Sequence, residues 1–310
     1  MSRMRRVRVR ALAKINLDLR VIGKRRDGYH ELRTIFQTIS LADTIDIGFT
    51  PGSKTSILVE DCLEIPDNLM VRAADAALQA MKVTGRVEMR LNKRIPMGAG
   101  LGGGSSDAAA VLLALPALAR RPLAMPHLCD LGSRIGSDVP FFLLGGTAAG
   151  IGRGTELFPL PDEPVRQGLL VAPGLHISTP EAYRLLSARL TSESQQNKIF
   201  SFQSHTWDSV AGRPAVNDFE TVVFEQYPRL AALKKRLIRA GASVAMMTGS
   251  GSAIFGLFPT RDDVSRAQKS LGAEKVFRIS LVSRARYRSL WWRALQMYVT
   301  PKIWPPQSLH

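Results

Sequence analysis

Residues 95 to 110 read IPMGAGLGGGSSDAAA, with five glycines and two serines between a proline and a run of alanines. So few β-carbons allow positive φ and close approach to the main chain, so that backbone N–H groups can wrap an anion. The alanines and the VLLALPALAR that follows have high helix propensity. That puts the loop at a helix N-terminus, where unpaired N–H groups and the dipole favour negative charge, and phosphate is the first ligand to consider. Gly98, Gly100 and Gly103 satisfy GxGxxG, yet the preceding VEMRLNKRI alternates where a dinucleotide fold wants a continuously apolar strand. Pro96 intervenes, and no acidic residue stands between Asp107 and Asp130 to take a ribose. The GKS or GKT of a Walker loop is missing too. Ser105 and Ser106 would bond phosphate or a metal's waters, or cap the helix.

The elements that must position this loop can be read around it. RVRVRALAKINLDLRVIG alternates as a half-buried strand does, KRRDGYHE turns through Asp27 and Gly28, and LRTIFQTISL and DTIDIGF are β-rich. NLMVRAADAALQAMK reads as a helix with Asn68 as its cap, and VEMRLNKRI as the strand leading into the loop. MPHLCDLGSRIG reads as a helix and SDVPFFLLGGTAAGIGRG as a tight turn into small and apolar residues. A boundary falls near residue 160, at FPLPDEP. Beyond it come a buried strand (GLLVAPG), a capped helix (STPEAYRLL) and a polar, irregular insertion (SESQQNKIFSFQSHTWDS). FEQYPRLAALKKRLIRAGA is helical, SVAMMTGSGSAIFGLF is strand, glycine turn and strand, and a final helix and strand close the pattern. Helices alternating with antiparallel-type strands imply an α+β architecture, with no internal repeat.

At 310 residues and 45% hydrophobic, the chain has room for two modest domains and the composition of a folded protein. Cys62 and Cys129 are far apart, which supports neither a disulfide framework nor a structural zinc site and fits a reducing cytosol. No signal-peptide core follows the basic N-terminus, and no run of apolar residues is long enough to span a membrane, so a cytoplasmic location is expected. The formal charge of +16 concentrates at RMRRVRVR and SRARYRSLWWR. A nucleic acid, a polyanionic small substrate and a merely solvated basic surface would all suit it, and without zinc-finger spacing or an RNP-like signature the solvated surface accounts for most of those charges.

Three segments together carry a more specific signal. AKINLDLRVIGKRRDGYHELRTIFQTISLADTI, PMGAGLGGGSSDAAA and MTGSGSAIFGLF resemble, in order, the motifs of the GHMP kinases, the family of galactose, homoserine, mevalonate and phosphomevalonate kinases. DGYHEL, GLGGGSSDAA and GSDVPFFL are similar to the branch that acts on a cytidine-diphosphate-linked methylerythritol in non-mevalonate isoprenoid synthesis, and the likeness runs from about residue 8 to 284. It implies a two-domain α+β fold with an N-terminal domain like domain 2 of ribosomal protein S5 (1–160) and a ferredoxin-like C-terminal domain (161–284). A basic, tryptophan-containing extension (285–310) would follow, and substrates would sit in the cleft between the domains.

The same resemblance implies transfer of the γ-phosphoryl group of ATP, with Mg²⁺, to the 2-hydroxyl of 4-diphosphocytidyl-2-C-methyl-D-erythritol. Such a reaction asks a protein mainly for positioning and charge stabilisation. Pro96, Met97, Gly98, Ala99, Gly100, Leu101, Gly102, Gly103, Gly104, Ser105 and Ser106 would hold the ATP phosphates, with Asn68 and Lys93 on the nucleotide side. Capping and a solvated strand end explain those last two nearly as well. Asp138 matches the catalytic aspartate and Lys14 the lysine on the first strand that would steady the developing alkoxide. Outside the family an N-cap and an exposed lysine would be the plain readings. Asn16 shares the face of Lys14 and would hold the acceptor diol.

Tyr29 and His30 match the cytidine-binding pair, one ring stacking and the other bonding the base edge. Tyr183, beside Thr179, matches a second aromatic wall, or is a core tyrosine. Thr248, Gly249, Ser250 and Gly251 match a turn that closes over the phosphates, though a plain hairpin would use the same residues. Asn217 fits the pattern without an assigned role, and the metal ligands stay unassigned.

In the extension, Tyr287, Leu290, Trp291, Ala294, Leu295 and Tyr298 recur at helical spacing. This favours a helix packed on the body over one lying on a membrane or a partner, with residues after Pro301 loosely held. A nucleic-acid-binding protein on an S5-like fold, and a kinase for homoserine, mevalonate or a sugar, are the rival readings. The DGYH segment opposes the latter because those acceptors have no use for a cytidine pocket. Small-molecule substrates, no nucleic acid, no membrane span and a monomer or weak homodimer are the expected partnerships.

Overall fold

The computed structural model describes residues 3–61, 67–189, 192–206 and 216–308; Cys62 and residues 207–209 of the polar insertion lie outside them. The alternating N-terminal segment forms β1 (Arg5–Lys24), which runs through a turn at Asp27 and Gly28 into β2 (His30–Pro51). Their antiparallel register runs from Arg5↔Phe49 to Lys24↔His30 with three bulges. Next come β3 (Ser56–Asp61), α1 (Leu69–Met81), β4 (Gly85–Asn92), α2 (Gly103–Ala119), α3 (Met125–Ile135), α4 (Val139–Leu144), β5 (Thr147–Gly152) and β6 (Glu156–Pro159). The far edge of β2 pairs with β5 over Leu32–Gln37 and with β4 over Thr44–Pro51, so one long strand joins both halves of the first sheet.

The second sheet follows, with four strands. Its elements are β7 (Gln167–Val171), α5 (Thr179–Ser187), α6 (Ser192–His205), α7 (Glu220–Gln226), α8 (Pro228–Arg239), β8 (Val244–Met247), β9 (Ile254–Phe258), α9 (Arg261–Ser270) and β10 (Val276–Ser280). α10 (Arg284–Ala294) then returns to the first sheet. Its Tyr287 and Trp291, with Leu295 and Val299, join the core that β1, β2 and β4 share with α1 and α2.

α2 is buried from Ser106 to Leu118, as expected of a helix apolar on every side. It is therefore a fixed axis, and the glycine loop sits at its N-terminal end.

Three expectations change. β1 is buried on both faces from Ala11 to Ile22, because the loop before α2 and the second half of the chain cover the side that alternation assigned to water. The polar insertion forms α6, which carries no apolar stripe to announce it. It is anchored by the buried Phe202 and by Lys198, whose Nζ donates to Asp218 at 2.6 Å. The segment after Pro301 is held: Val299 bridges Ser308, and Trp304 packs against Tyr287 and Trp292 with ring centroids 6.1 and 6.4 Å away.

Candidate active site

The outer edge of β1 organises the site. Its main-chain N–H groups are taken in turn by segments far along the chain: Lys14 N donates to Leu101 O (3.1 Å), Asn16 N to Thr248 Oγ1 (3.1 Å) and Leu19 N to Val216 O (2.8 Å). Val21 N donates to Asp218 Oδ2 (2.9 Å). One strand thus gathers the first glycine loop, the second glycine turn and the start of α7.

The first loop enters α2 with Gly98, Gly100 and Gly102 at φ of +63°, +78° and +67°. A β-carbon on Gly100 would lie 2.1 Å from Thr248 O, so the two glycine turns lie main chain against main chain, which only glycine permits. Ala99 O accepts from Ala253 N and Gly100 O from Thr248 Oγ1. The loop's carbonyls are therefore turned to protein while the first N–H groups of α2 have no intrahelical acceptor. No side chain caps α2; Ser106 is buried and donates to Leu12 O at 2.7 Å, so it neither caps nor faces a ligand.

Two cavities meet at this loop. A smaller one of about 410 Å³ is lined by Asn68, Lys93 and the chain from Pro96 to Ser105. A larger one of about 750 Å³ holds Lys14, Asn16, Tyr29, His30, Asp138 and Tyr183, with Thr179, Gly249 and Ser250 also on its wall. Gly100, Gly102 and Ser105 line both. Thr248 and Gly251 line neither; Thr248 is buried against Asn16. Volumes of this order suit small-molecule ligands.

Asp138 holds the N-cap position of α4 but makes no capping bond, so its carboxylate is left for other work. Lys14 Nζ lies 3.6 Å from Asp138 Oδ2, the lysine side chain 5% and the aspartate 31% exposed. The lysine is buried, contrary to the plain reading of an exposed strand residue. Lys14 Nζ also donates to Asn16 Oδ1 at 2.8 Å. That same oxygen accepts from Gly249 N (3.0 Å) and Thr248 Oγ1 (3.2 Å), while Asn16 Nδ2 donates to Thr34 Oγ1. Asn16, expected to hold the acceptor diol, is engaged mostly with protein, and one of its two Nδ2 hydrogens has no acceptor in these bonds.

At the other end of the larger cavity, His30 stacks on Tyr183 with centroids 4.4 Å apart, and its Nε2 lies 2.6 Å from Ser187 Oγ. Tyr183 packs edge-on to Phe219, and burial with the nearby Asp138 charge pushes its hydroxyl well above the usual phenol range, so it stays neutral. Burial and Lys24 lower the His30 pKa. Tyr29 is half exposed, with the Arg153 guanidinium 3.4 Å from its ring centroid. The expected order of rings therefore differs in detail: histidine and Tyr183 lie face to face, and an arginine covers Tyr29.

The Lys93 side chain is buried, with Nζ 2.6 Å from both Asp43 Oδ2 and Asp107 Oδ2. It is not a solvated strand end, and two of its three donors serve protein. Burial works against the ammonium, but Asp107 and Asp43 outweigh it and hold the Lys93 pKa above the ordinary range. Asn68 caps α1 by accepting from Met70 N at 3.0 Å, so the cap and a place on the wall of the smaller cavity coexist.

Sequence reasoning missed Arg153, which a turn sequence GIGRG gives no reason to single out. It also gave Asn217 no work. Asn217 Nδ2 donates to Met247 O (2.7 Å) and Gly249 O (2.9 Å), holding the second glycine turn from behind.

Comparison with known proteins accords with this geometry. A model of the GHMP kinases N terminal domain matches residues 68–146 and one of the GHMP kinases C terminal matches 206–276. The chain is 65% identical to 4-diphosphocytidyl-2-C-methyl-D-erythritol kinase of Solibacter usitatus (strain Ellin6076) over 99% of each chain. It is 38% identical to the kinase of the same name from Geobacter metallireducens (strain ATCC 53774 / DSM 7210 / GS-15), over 86% of this chain and 95% of the other. A crystal structure of 4-(cytidine 5'-diphospho)-2C-methyl-D-erythritol kinase superposes with a TM-score of 0.73 at 36% identity, covering 88% of this chain and 98% of that one. Homoserine kinase from Cytophaga hutchinsonii ATCC 33406 shares the fold at 17% identity, with a TM-score of 0.67 over 90% of this chain and 95% of its own. Similarity this deep, over nearly the whole length, means that the chain belongs to the 4-diphosphocytidyl-2-C-methyl-D-erythritol kinases within the GHMP kinase family.

Proposed function

We propose that the protein transfers the γ-phosphoryl group of ATP to the 2-hydroxyl of 4-diphosphocytidyl-2-C-methyl-D-erythritol, giving the 2-phosphate and ADP, with Asp138 as base and Lys14 beside it. The observation that carries this reading is the placement of the Lys14–Asp138 pair, 3.6 Å apart, in a cavity that shares Gly100, Gly102 and Ser105 with the neighbouring one. ATP in the smaller cavity would lay its phosphates on the N–H groups at the head of α2. The acceptor in the larger cavity would present its hydroxyl to Asp138.

Asp138 takes the hydroxyl proton as the oxygen attacks the γ-phosphorus and the bond to the β-phosphate oxygen breaks. Lys14, held by Asn16, steadies the charge on the attacking oxygen, and ADP leaves with the electron pair. The cytosine would settle among Tyr29, His30 and Tyr183, and Arg153 would face the diphosphate with its charge. Mg²⁺ takes one or two protein oxygens beside phosphates, and the Ser105 hydroxyl, on the wall of both cavities, fits that demand and leaves the Asp138 carboxylate to act as base. When bound there, the ion would neutralise charge on the phosphate oxygens.

No helix among the described residues is long and apolar enough to cross a membrane, and one chain supplies every residue of the proposed site. The test is ATP turnover with Mg²⁺, offering the cytidylated acceptor beside mevalonate and homoserine, with Asp138→Asn in parallel. Turnover should be confined to the cytidylated acceptor and fall by about 10²–10⁴ in the variant. Turnover on another acceptor would overturn the assignment of Tyr29, His30 and Tyr183.

A further inference from the structure

Asp138 stands at the head of α4, and a helix of six residues does not hold its own head in place, because nearly all its backbone polar groups lie at an end. Gly145 N returns to Phe141 O at 2.8 Å. The next carbonyls are taken by the C-terminal segment: Tyr287 Oη donates to Phe142 O, Trp304 Nε1 to Leu143 O at 3.1 Å, and Arg284 Nε to Gly145 O at 3.2 Å. All three donors lie beyond residue 276, where the family model ends.

The packing follows the bonds. Tyr287 is buried, and its ring occupies the place that a β-carbon on Gly145 would need. Trp304 lies edge-on to Tyr287, with the Arg288 guanidinium 5.2 Å from its ring centroid. On the site side, the Phe142 ring covers Gly102 of the phosphate loop, and Phe141 packs on Phe36, over whose ring Lys14 Nζ sits at 5.4 Å. α4 is thus a rod about 9 Å long, gripped at one end by the C-terminal segment and carrying Asp138 at the other.

We propose that Tyr287 and Trp304 are positioning residues for phosphoryl transfer. By holding the last carbonyls of α4, they fix where the Asp138 carboxylate stands relative to Lys14 and the phosphate loop. The inference rests on the reading of Asp138 as the base. A buried carbonyl that loses its donor draws the helix end toward other partners, and a displacement of about 1 Å at reacting groups can cost about 10²-fold in rate.

Tyr287→Phe keeps the ring and removes only the hydroxyl; Trp304→Phe removes the N–H with part of the ring. Steady-state kinetics, well below each variant's melting temperature, would be compared in the wild-type and Asp138→Asn backgrounds. Tyr287→Phe should lower kcat about tenfold with both KM values within about twofold, and should lower the residual rate of Asp138→Asn by less than about twofold. Should Tyr287→Phe fail to fold, Trp304→Phe carries the same comparison. Unchanged kcat in both variants overturns the proposal, as does an equal loss in both backgrounds, which would place the effect elsewhere. An Asp138→Asn enzyme at the wild-type rate would remove the base itself, and this inference with it.

Discussion

In the proposed reaction Asp138 and Lys14 divide one task. The carboxylate is partly exposed and uncommitted to its helix, whereas the ammonium is buried, sits over the Phe36 ring and is tied to Asn16. A donor fixed beforehand loses little in reorganising when charge develops, so Lys14→Met should lower kcat by about 10²–10³ and leave the KM for ATP nearly unchanged. Saturation kinetics in ATP check this, and a loss confined to KM would recast Lys14 as a ground-state ligand. His30 gives a pH signature. Burial and Lys24 hold its pKa below 6.5, so the neutral ring persists through neutrality and is protonated only in more acid solution. The acceptor KM should stay flat from about pH 8 to about pH 7 and rise only below 6.5, disappearing from the profile in His30→Gln. A rise centred at or above 6.5 would mean that burial and Lys24 do not keep His30 neutral.

Between the elements, the edge of β1 and the segment around Asn217 do the joining. Asn217 reaches the second glycine turn with both Nδ2 hydrogens and accepts from Phe219 N at 3.0 Å, so Asn217→Ala leaves the buried Met247 carbonyl and the part-buried Gly249 carbonyl without this donor. It should destabilise the protein by about 1–3 kcal/mol and, with the turn freed, raise the KM for ATP severalfold while the acceptor KM stays within about twofold. Thermal melts and kinetics on one preparation check both, and an equal rise in the two KM values would detach Asn217 from the phosphate side. The glycine loop was legible because its signal is local, missing β-carbons ahead of a helix-forming run, whereas Lys14 and Asp138 stood out only through the family resemblance, their own surroundings reading as an exposed strand lysine and an N-cap. Asn217, Arg153 and Asp43 were not legible, since each acquires its role from a partner 30 or more residues away or across the cavity. α6 escaped for a related reason: its one buried aromatic, Phe202, answers to β1 and not to a stripe of its own.

For the whole molecule, the formal charge of +16 sets how stability answers to pH. Many arginines meet carboxylates at the surface, as Arg8 with Asp46 (2.9 Å) and Arg189 with Glu225 (2.6 Å), and those partners hold both carboxyls below their ordinary range. Their contribution is present above the unfolded values and fades in acid, where added positive charge also strains a basic protein. The buried cluster beneath the glycine loop runs the other way. Asp107 has one oxygen on Lys93 and the other without a hydrogen-bond partner among the described residues. Burial and the nearby Asp43 charge, against the pull of Lys93, push its pKa up to about 7. Between about pH 4 and that value the folded protein binds a proton that the unfolded chain has released, so this stability is full in acid and is lost as pH rises through neutrality. Asp107→Asn has no such proton to lose. Urea midpoints measured from about pH 5 to about pH 8 should therefore fall for the wild type relative to the variant. Parallel midpoints would mean that Asp107 is ionised throughout, with Lys93 outweighing burial beneath the glycine loop.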